Sequence, residues 1–331
     1  LMISKDIKKL FIRLGIFIIP FLLYTLILSK VDPFNYFSDN NILSQETEYQ
    51  TARKLNSLLY NTLNFKNHPT PNIIIGDSRI KRLPTTEIEK ITGDKYFTLH
   101  SNAAKLNEII DLFWLTDSLY YMSKHNNLKN VIIGINFNLY NEYAYANRVD
   151  EVKKMIKNPL IYIFNGNILE VTIKAIIHHF SGNSVPSISR NIMLKRALKR
   201  KSFKDKKIWW EYNINSVAKN QYSRYKYPVE LIDRLKEVDA YCSNNNINLI
   251  LLNVPHHKEY RQRVIDFNLK EAERKFKDEI KNIGTVIDYD YSNSITNCKS
   301  CFTDPIHTND SINLIIAKEI FNDSLVIGRK L

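Results

Sequence analysis

The longest apolar run in the chain lies between Leu10 and Leu28 (LFIRLGIFIIPFLLYTLIL), nineteen positions that carry one charge, Arg13. At 1.5 Å per residue a helix of this length covers roughly 28 Å, close to the ~30 Å hydrocarbon core of a bilayer. Arg13 falls near its start, where a long basic side chain can snorkel to the headgroups. Lys5, Lys8 and Lys9 precede the run, and only Lys30 and Asp32 follow closely. This asymmetry predicts a single-pass signal anchor over residues 1–31, its N-terminal side cytoplasmic and the rest of the chain extracytoplasmic, whether periplasmic or extracellular. No small-x-small pair after Leu28 marks a cleavage site, and the flanking charges argue against a buried core helix.

Beyond the anchor the pattern changes twice. Residues 32–71 are polar and partly helical, ending in the breaker-rich Asn67–Pro71, and read as a juxtamembrane connector. From residue 72 short, apolar-rich runs, some of them continuous, alternate with helical periodicity. The runs are NIIIG (72–76), KYFTLH (95–100), NVIIGINF (130–137), NLILLNVP (248–255) and TVIDYD (285–290). Continuous rather than alternating apolar runs are the mark of strands buried on both faces, as in a parallel sheet. Between them, Leu106–Met122, Pro228–Ser243, Asp266–Lys281 and Asp310–Phe321 have helical spacing. Alternating strand and helix predicts an α/β domain over 72–331 with helices on both faces of a parallel sheet. A segment of roughly 141–227 interrupts the alternation and reads as a helical insertion, because the strand pattern resumes after it.

Composition excludes some classes and leaves others. Hydrophobic residues are 44% of the 331, with only 8 Gly and 10 Pro, so the chain is neither disordered nor fibrous. With 47 Lys+Arg against 34 Asp+Glu the net charge is +13; without residues 1–30 it is 42 against 33, or +9. A basic domain raises the question of nucleic acid. Export argues against it and favours anionic headgroups or an anionic surface polymer. The densest basic stretch, Lys195–Lys207 (KRALKRKSFKDKK), runs into Trp209-Trp210, a pattern suited to a membrane interface and equally to a solvated helix face.

Three segments at strand ends carry chemistry. Gly76-Asp77-Ser78-Arg79 follows the first strand, Gly134-Ile135-Asn136-Phe137 closes the third, and Asp304-Pro305-Ile306-His307 precedes the last helix. A serine on a sharp turn after a strand exposes its hydroxyl, but it is a weak nucleophile until an imidazole takes its proton. His307 supplies that base, and Asp304 can hold the other ring nitrogen. Backbone N–H groups at Ser78 and the side-chain amide of Asn136 are candidate donors to an oxyanion.

In this order and spacing, GDS, GxN and DxxH resemble the blocks of the SGNH (GDSL-like) hydrolase superfamily over about residues 72–322, with the insertion unmatched. The resemblance implies a three-layer α/β/α, flavodoxin-like fold, Ser78 as nucleophile, and Asp304 and His307 as its partners. It also implies an oxyanion hole of Ser78, Asn102 and Asn136. The family's second block normally has a glycine where this chain has Ser101-Asn102, and Phe137 stands where many members have Asp. Asp77, Arg79, Gly134 and His256 are candidate substrate contacts; for Arg79, pairing with a nearby acid is an equal alternative. The anchor and the arginine after the serine are similar to the membrane-anchored SGNH partners of membrane-bound O-acyltransferases. That likeness implies acyl transfer or ester hydrolysis on a cell-surface glycan or anionic polymer, beside such an acyltransferase and with no cofactor. A non-catalytic SGNH-like scaffold is the alternative expectation.

Other features carry less. Cys298 and Cys301 form a CxxC in a loop, where a structural disulfide and two free thiols both fit. Zinc would need a fourth ligand, and only Cys242 remains. His256-His257 reads as either a substrate contact or a strand-end polar cluster, and His178-His179 as structural. Ile208–Tyr212 (IWWEY) reads first as core packing.

Overall fold

The computed structural model describes residues 5–37, 42–143, 146–182, 206–321 and 325–331. Its chain divides into two compact units, residues 1–64 with 153–188 and residues 65–152 with 189–331. The insertion read from the sequence is therefore split between the units, and most of the expected connector belongs to the first. Most of the basic stretch, 195–205, lies outside the described residues.

In the first unit, α1 (Lys5–Val31) contains the one helix segment among the described residues that is long and apolar enough to cross a membrane, Ile7–Val31. None of its most apolar window is buried. Helix α2 (Ser57–Asn67) begins in this unit. After the first three strands of the second unit, α5 (Arg148–Lys157) leads back into the first, followed by α6 (Pro159–Ile163) and α7 (Gly166–Ser181). Asn158 and Asn165 cap α6 and α7 by accepting from Leu160 N–H and Asn167 N–H. Asp32, at the turn that ends α1, accepts from the N–H groups of Tyr36 and Phe37 and from the Tyr162 hydroxyl. The Tyr36 ring stacks on Tyr162 with centroids 4.1 Å apart.

The second unit is an α/β fold. Its strands are β1 (Asn72–Gly76), β2 (Tyr96–His100), β3 (Asn130–Ile135), β4 (Asn248–Asn253) and β5 (Thr285–Asp288), then the short β6 (Phe302–Asp304), β7 (His307–Thr308) and β8 (Arg329–Lys330). The main sheet has the order β2-β1-β3-β4-β5-β8, parallel except for β8 at the edge. Ile73, Ile74 and Ile75 point alternately to the two faces, and all three are fully buried, so both faces are covered. The covering helices are α3 (Thr85–Thr92), α4 (Leu106–Met122), α8 (Lys206–Tyr212), α9 (Ala218–Tyr222), α10 (Val229–Asn244), α11 (Lys258–Asp266), α12 (Lys270–Ile280) and α13 (Asp310–Ile320). Helix α4 meets α10 through Trp114 and Tyr241, 5.1 Å between ring centroids, and through Arg234 and Asp111.

Register along the sheet is marked by an asparagine ladder. Asn72, Asn130 and Asn248 stand opposite one another at the starts of β1, β3 and β4, and their amides link at 2.7 and 3.1 Å. The other ends of the same strands carry Gly76, Ile135 and Asn253. Chain order reverses at β1, which lies between β2 and β3. In open parallel sheets the crevice beyond such a reversal, at the carboxyl ends of the strands, is where ligands bind.

Candidate active site

Two glycines let the chain turn tightly at that edge. A Cβ on Gly76 would lie 2.6 Å from Ile80 Cγ1, and one on Gly134 only 2.3 Å from the same atom. Ile80, fully buried in the turn after Ser78, packs over the ends of β1 and β3 because neither neighbour has a side chain there. Gly134, expected as a substrate contact, makes room for Ile80 in the turn after Ser78.

Asp304 and His307 sit opposite each other on β6 and β7, a two-stranded ribbon joined by Pro305-Ile306. The Asp304 carboxylate accepts the N–H groups of Ile306 and His307, both at 3.1 Å, which fixes the turn. Both its oxygens lie 2.9 Å from His307 Nδ1. Nδ1 therefore carries the proton, and Nε2 is left as acceptor. That Nε2 is 2.8 Å from Ser78 Oγ, across 229 positions of sequence. Burial raises the Asp304 pKa, but bonding to His307 and the turn N–H outweighs it and holds the carboxyl below its ordinary range. Trp209 Nε1 points at Asp304 Oδ2 from 3.4 Å.

Arg82 ties the two halves together: it follows Ser78 by one turn and donates to Thr303 Oγ1 and Thr308 O of the ribbon at 3.1 and 3.0 Å. On the other side His257 N–H donates to Pro305 O at 2.9 Å, anchoring the ribbon to the end of β4. Cys298 and Cys301 form a disulfide just before β6, which decides between the two alternatives left by the sequence.

Asp77, Arg79 and His256 have partners within the protein. Arg79 is 6% exposed; its Nε and Nη2 grip the Asp77 carboxylate, and its Nη1 reaches Asn138 Oδ1 at 3.1 Å and His256 Nε2 at 2.7 Å. His256 Nδ1 faces Asp290 Oδ2 at 2.9 Å, and Arg261 Nε lies 3.2 Å from Asp290 Oδ1. Asp77, Arg79 and His256, expected as substrate contacts, lie in a buried chain that runs through Arg79 to Asp290 and braces the turn before and after Ser78; for Arg79 it is the alternative of pairing with a nearby acid that the structure shows. Desolvation raises the Asp77 pKa, but the Arg79 guanidinium outweighs it and the net shift is downward. Burial is the main cause holding His256 below the ordinary imidazole value.

Asn136 also departs from expectation. Its Nδ2 donates to Asn253 Oδ1 at 2.8 Å and to Val254 O at 2.7 Å, so both amide hydrogens are taken. The orientation is dictated from further back: Asn253 Nδ2 donates to Asp288, a group that can only accept when ionised, which turns Asn253 Oδ1 toward Asn136. For the oxyanion hole expected at Ser78 this leaves backbone N–H groups. Among the described residues neither the Ser78 nor the Asn102 N–H makes a hydrogen bond, whereas Ser101 N–H is engaged by Gly76 O at 3.2 Å. The Asn102 loop is held by Arg148, which donates to Asn102 O and Ala103 O and is paired with the buried Glu108. Glu108 in turn accepts Lys105 N–H at the start of α4.

Arg82, Arg148, Glu108, Asn138, Asn253 and Asp290 were not singled out in the sequence. Only Asp290 carried a signal, an acid at the end of an apolar strand; the rest act through partners 35 or more positions away, apart from the local bond of Glu108 to Lys105 N–H. His178 Nδ1 lies 3.1 Å from Thr47 Oγ1. Of Ile208–Tyr212 only Trp210 is buried, against His257 with its Nε1 on Glu259, while Ile208 is exposed, so core packing holds for Trp210 alone. No protein-family model matches the chain, and a search of curated proteins returns no match.

Proposed function

We propose that the chain is a membrane-anchored serine acyltransferase or esterase of SGNH type that works through an acyl-Ser78 intermediate. The observation that carries this is the Ser78–His307–Asp304 line, with Oγ to Nε2 at 2.8 Å and Nδ1 to the carboxylate at 2.9 Å. The strand order 2-1-3-4-5, that of flavodoxin-like doubly wound sheets, and the position of Ser78 at its reversal point support the same reading.

In the first half-reaction Ser78 Oγ attacks the carbonyl carbon of an acyl donor while His307 Nε2 takes the hydroxyl proton. The tetrahedral oxyanion accepts from the free N–H groups of Ser78 and Asn102. Collapse expels the donor oxygen, which leaves with the proton held by His307. In the second half a hydroxyl of the acceptor, or water, is deprotonated by His307 and attacks the acyl-serine, restoring Ser78. Asp304 stays ionised and steadies the imidazolium.

The exported, basic domain and its apolar helix favour a cell-surface glycan or other anionic polymer as acceptor, with a membrane-bound O-acyltransferase as partner. The second reading is an SGNH-like scaffold without turnover. It draws on the committed amide of Asn136 and on Asn102 at the family's glycine position. A fluorophosphonate probe on the full chain in detergent separates them. Labelling that disappears in Ser78→Ala and His307→Gln supports the enzyme. A folded, unlabelled wild type favours the scaffold.

A further inference from the structure

Helix α7 carries a row of large apolar side chains turned away from its own unit. Leu169, Ile173, Ile177 and Phe180 are spaced by four, four and three, so they share one face, and they are 43%, 48%, 40% and 79% exposed. The opposite face, with Ile168, Val171, Thr172 and Ala175, is buried. Helix α6 and the turn after it add Leu160, Ile161 and Phe164, all exposed. An exposed apolar face this long is unusual for a surface in contact with water.

Its neighbour indicates what covers it. Phe164 meets Phe21 of α1 with ring centroids 6.1 Å apart. Phe21 stands ten residues before the end of α1, which at 1.5 Å per residue is about 15 Å back along the helix. The two apolar surfaces are therefore continuous. Between α1 and α7 a cavity of about 440 Å³ is lined by Leu26, Ile27, Val31, Ile42, Ile176 and Phe180, among others. Just before α6, Lys154 and Lys157 are exposed, placed as headgroup contacts would be.

We infer that α6 and α7 form a second membrane-contacting element, which lays the Leu160–Phe180 face into the bilayer leaflet beside the C-terminal half of α1, with lipid acyl chains as its occupant. This goes beyond the acyl-transfer reading and does not depend on it; it rests on α1 lying in a bilayer. An amphipathic element of this kind buries its apolar face some 5–10 Å below the headgroup boundary. Two contacts with the membrane restrict how the first unit tilts, where a lone helix would leave it free to swing.

The test uses the full chain in vesicles of phosphatidylethanolamine and phosphatidylglycerol, with the photo-reactive residue p-benzoylphenylalanine placed at Ile173 or Phe180. Leu22 in α1 is the lipid-facing reference, and Val326, 85% exposed in the other unit, is the background. Irradiation followed by mass spectrometry is expected to give phospholipid adducts at Ile173 and Phe180 in yields comparable to Leu22, and none above background at Val326. Adducts at Leu22 alone, or cross-links from Ile173 to a second copy of the chain, would overturn the inference. Absence of lipid adducts at Leu22 would remove its footing as well, while leaving the serine chemistry untouched.

Discussion

Arg79 Nη1 lies 2.7 Å from His256 Nε2, joining the residue after Ser78 to the end of a strand 177 positions away. Because a guanidinium can only donate, this contact requires Nε2 to be unprotonated, and Nδ1–H then donates to Asp290. The pair fixes both the position of the Ser78 turn and the protonation state of a buried histidine.

The first prediction follows from that pairing. Arg79→Met leaves the buried Asp77 carboxylate without its counter-charge, at a cost of about 3–5 kcal/mol. Arg79→Lys recovers only part, since an ammonium cannot grip both carboxylate oxygens and reach His256 together. Urea unfolding midpoints of the two variants should rank wild type, Lys, Met.

His256 makes the second-unit stability fall in mild acid. Its folded-state pKa is lowered, so below about 6.5, the ordinary imidazole value, the unfolded chain binds a proton that the native chain does not. Stability is thus full above that pH and declines as pH drops toward the folded pKa. His256→Gln keeps an acceptor for Arg79 but does not titrate. Its stability should vary less with pH between about 7 and about 5, by at most about 1.4 kcal/mol per pH unit. An unchanged slope would show that the His256 pKa is the same in the folded and the unfolded chain.

Asp304→Asn tests the tautomer argument. The amide keeps the shape but presents an N–H to His307 Nδ1, which forces the proton onto Nε2 and leaves Ser78 without an acceptor. Fluorophosphonate labelling should slow by about 10⁴-fold with the fold intact by circular dichroism.

The glycines at the strand ends predict a coupled pair. Gly134→Ala drives a Cβ into Ile80 Cγ1 and should cost about 1–3 kcal/mol. In an Ile80→Ala background, where that atom is gone, the same change should be close to neutral. A double-mutant cycle by denaturant unfolding reads the difference directly.

The Cys298–Cys301 disulfide closes a loop of only a few residues, so chain entropy accounts for about 2 kcal/mol. Replacing both with Ser should lower stability by no more than that. Reductant should then have no further effect on the melting of the variant.

Much of the architecture was legible before any coordinates. The central strands β1, β3 and β4 appear as apolar runs, because a strand covered on both faces has no polar side to alternate with. The membrane-length helix shows itself by length and composition alone. Gly76-Asp77-Ser78 and Asp304-His307 stood out because a turn after a strand and a DxxH spacing are local features. The role of Asn136 was not legible: its amide is turned by Asn253, and Asn253 by Asp288, along a chain that exists only when β3, β4 and β5 lie side by side. Arg148, which clamps the Asn102 loop through Glu108, is equally silent in sequence.

What the sequence by itself determined is thus the order of elements, the parallel α/β class and the apolar helix, all of which follow from side-chain periodicity over a few residues. Only the tertiary structure decided that Arg79 turns inward, that Gly134 makes room for Ile80, and that the helical insertion is shared between two units. It also decided that one face of α7 looks outward. A polar side chain takes whichever partner the sheet register and loop closure bring within about 3 Å, and that distance is set by segments far away in the chain.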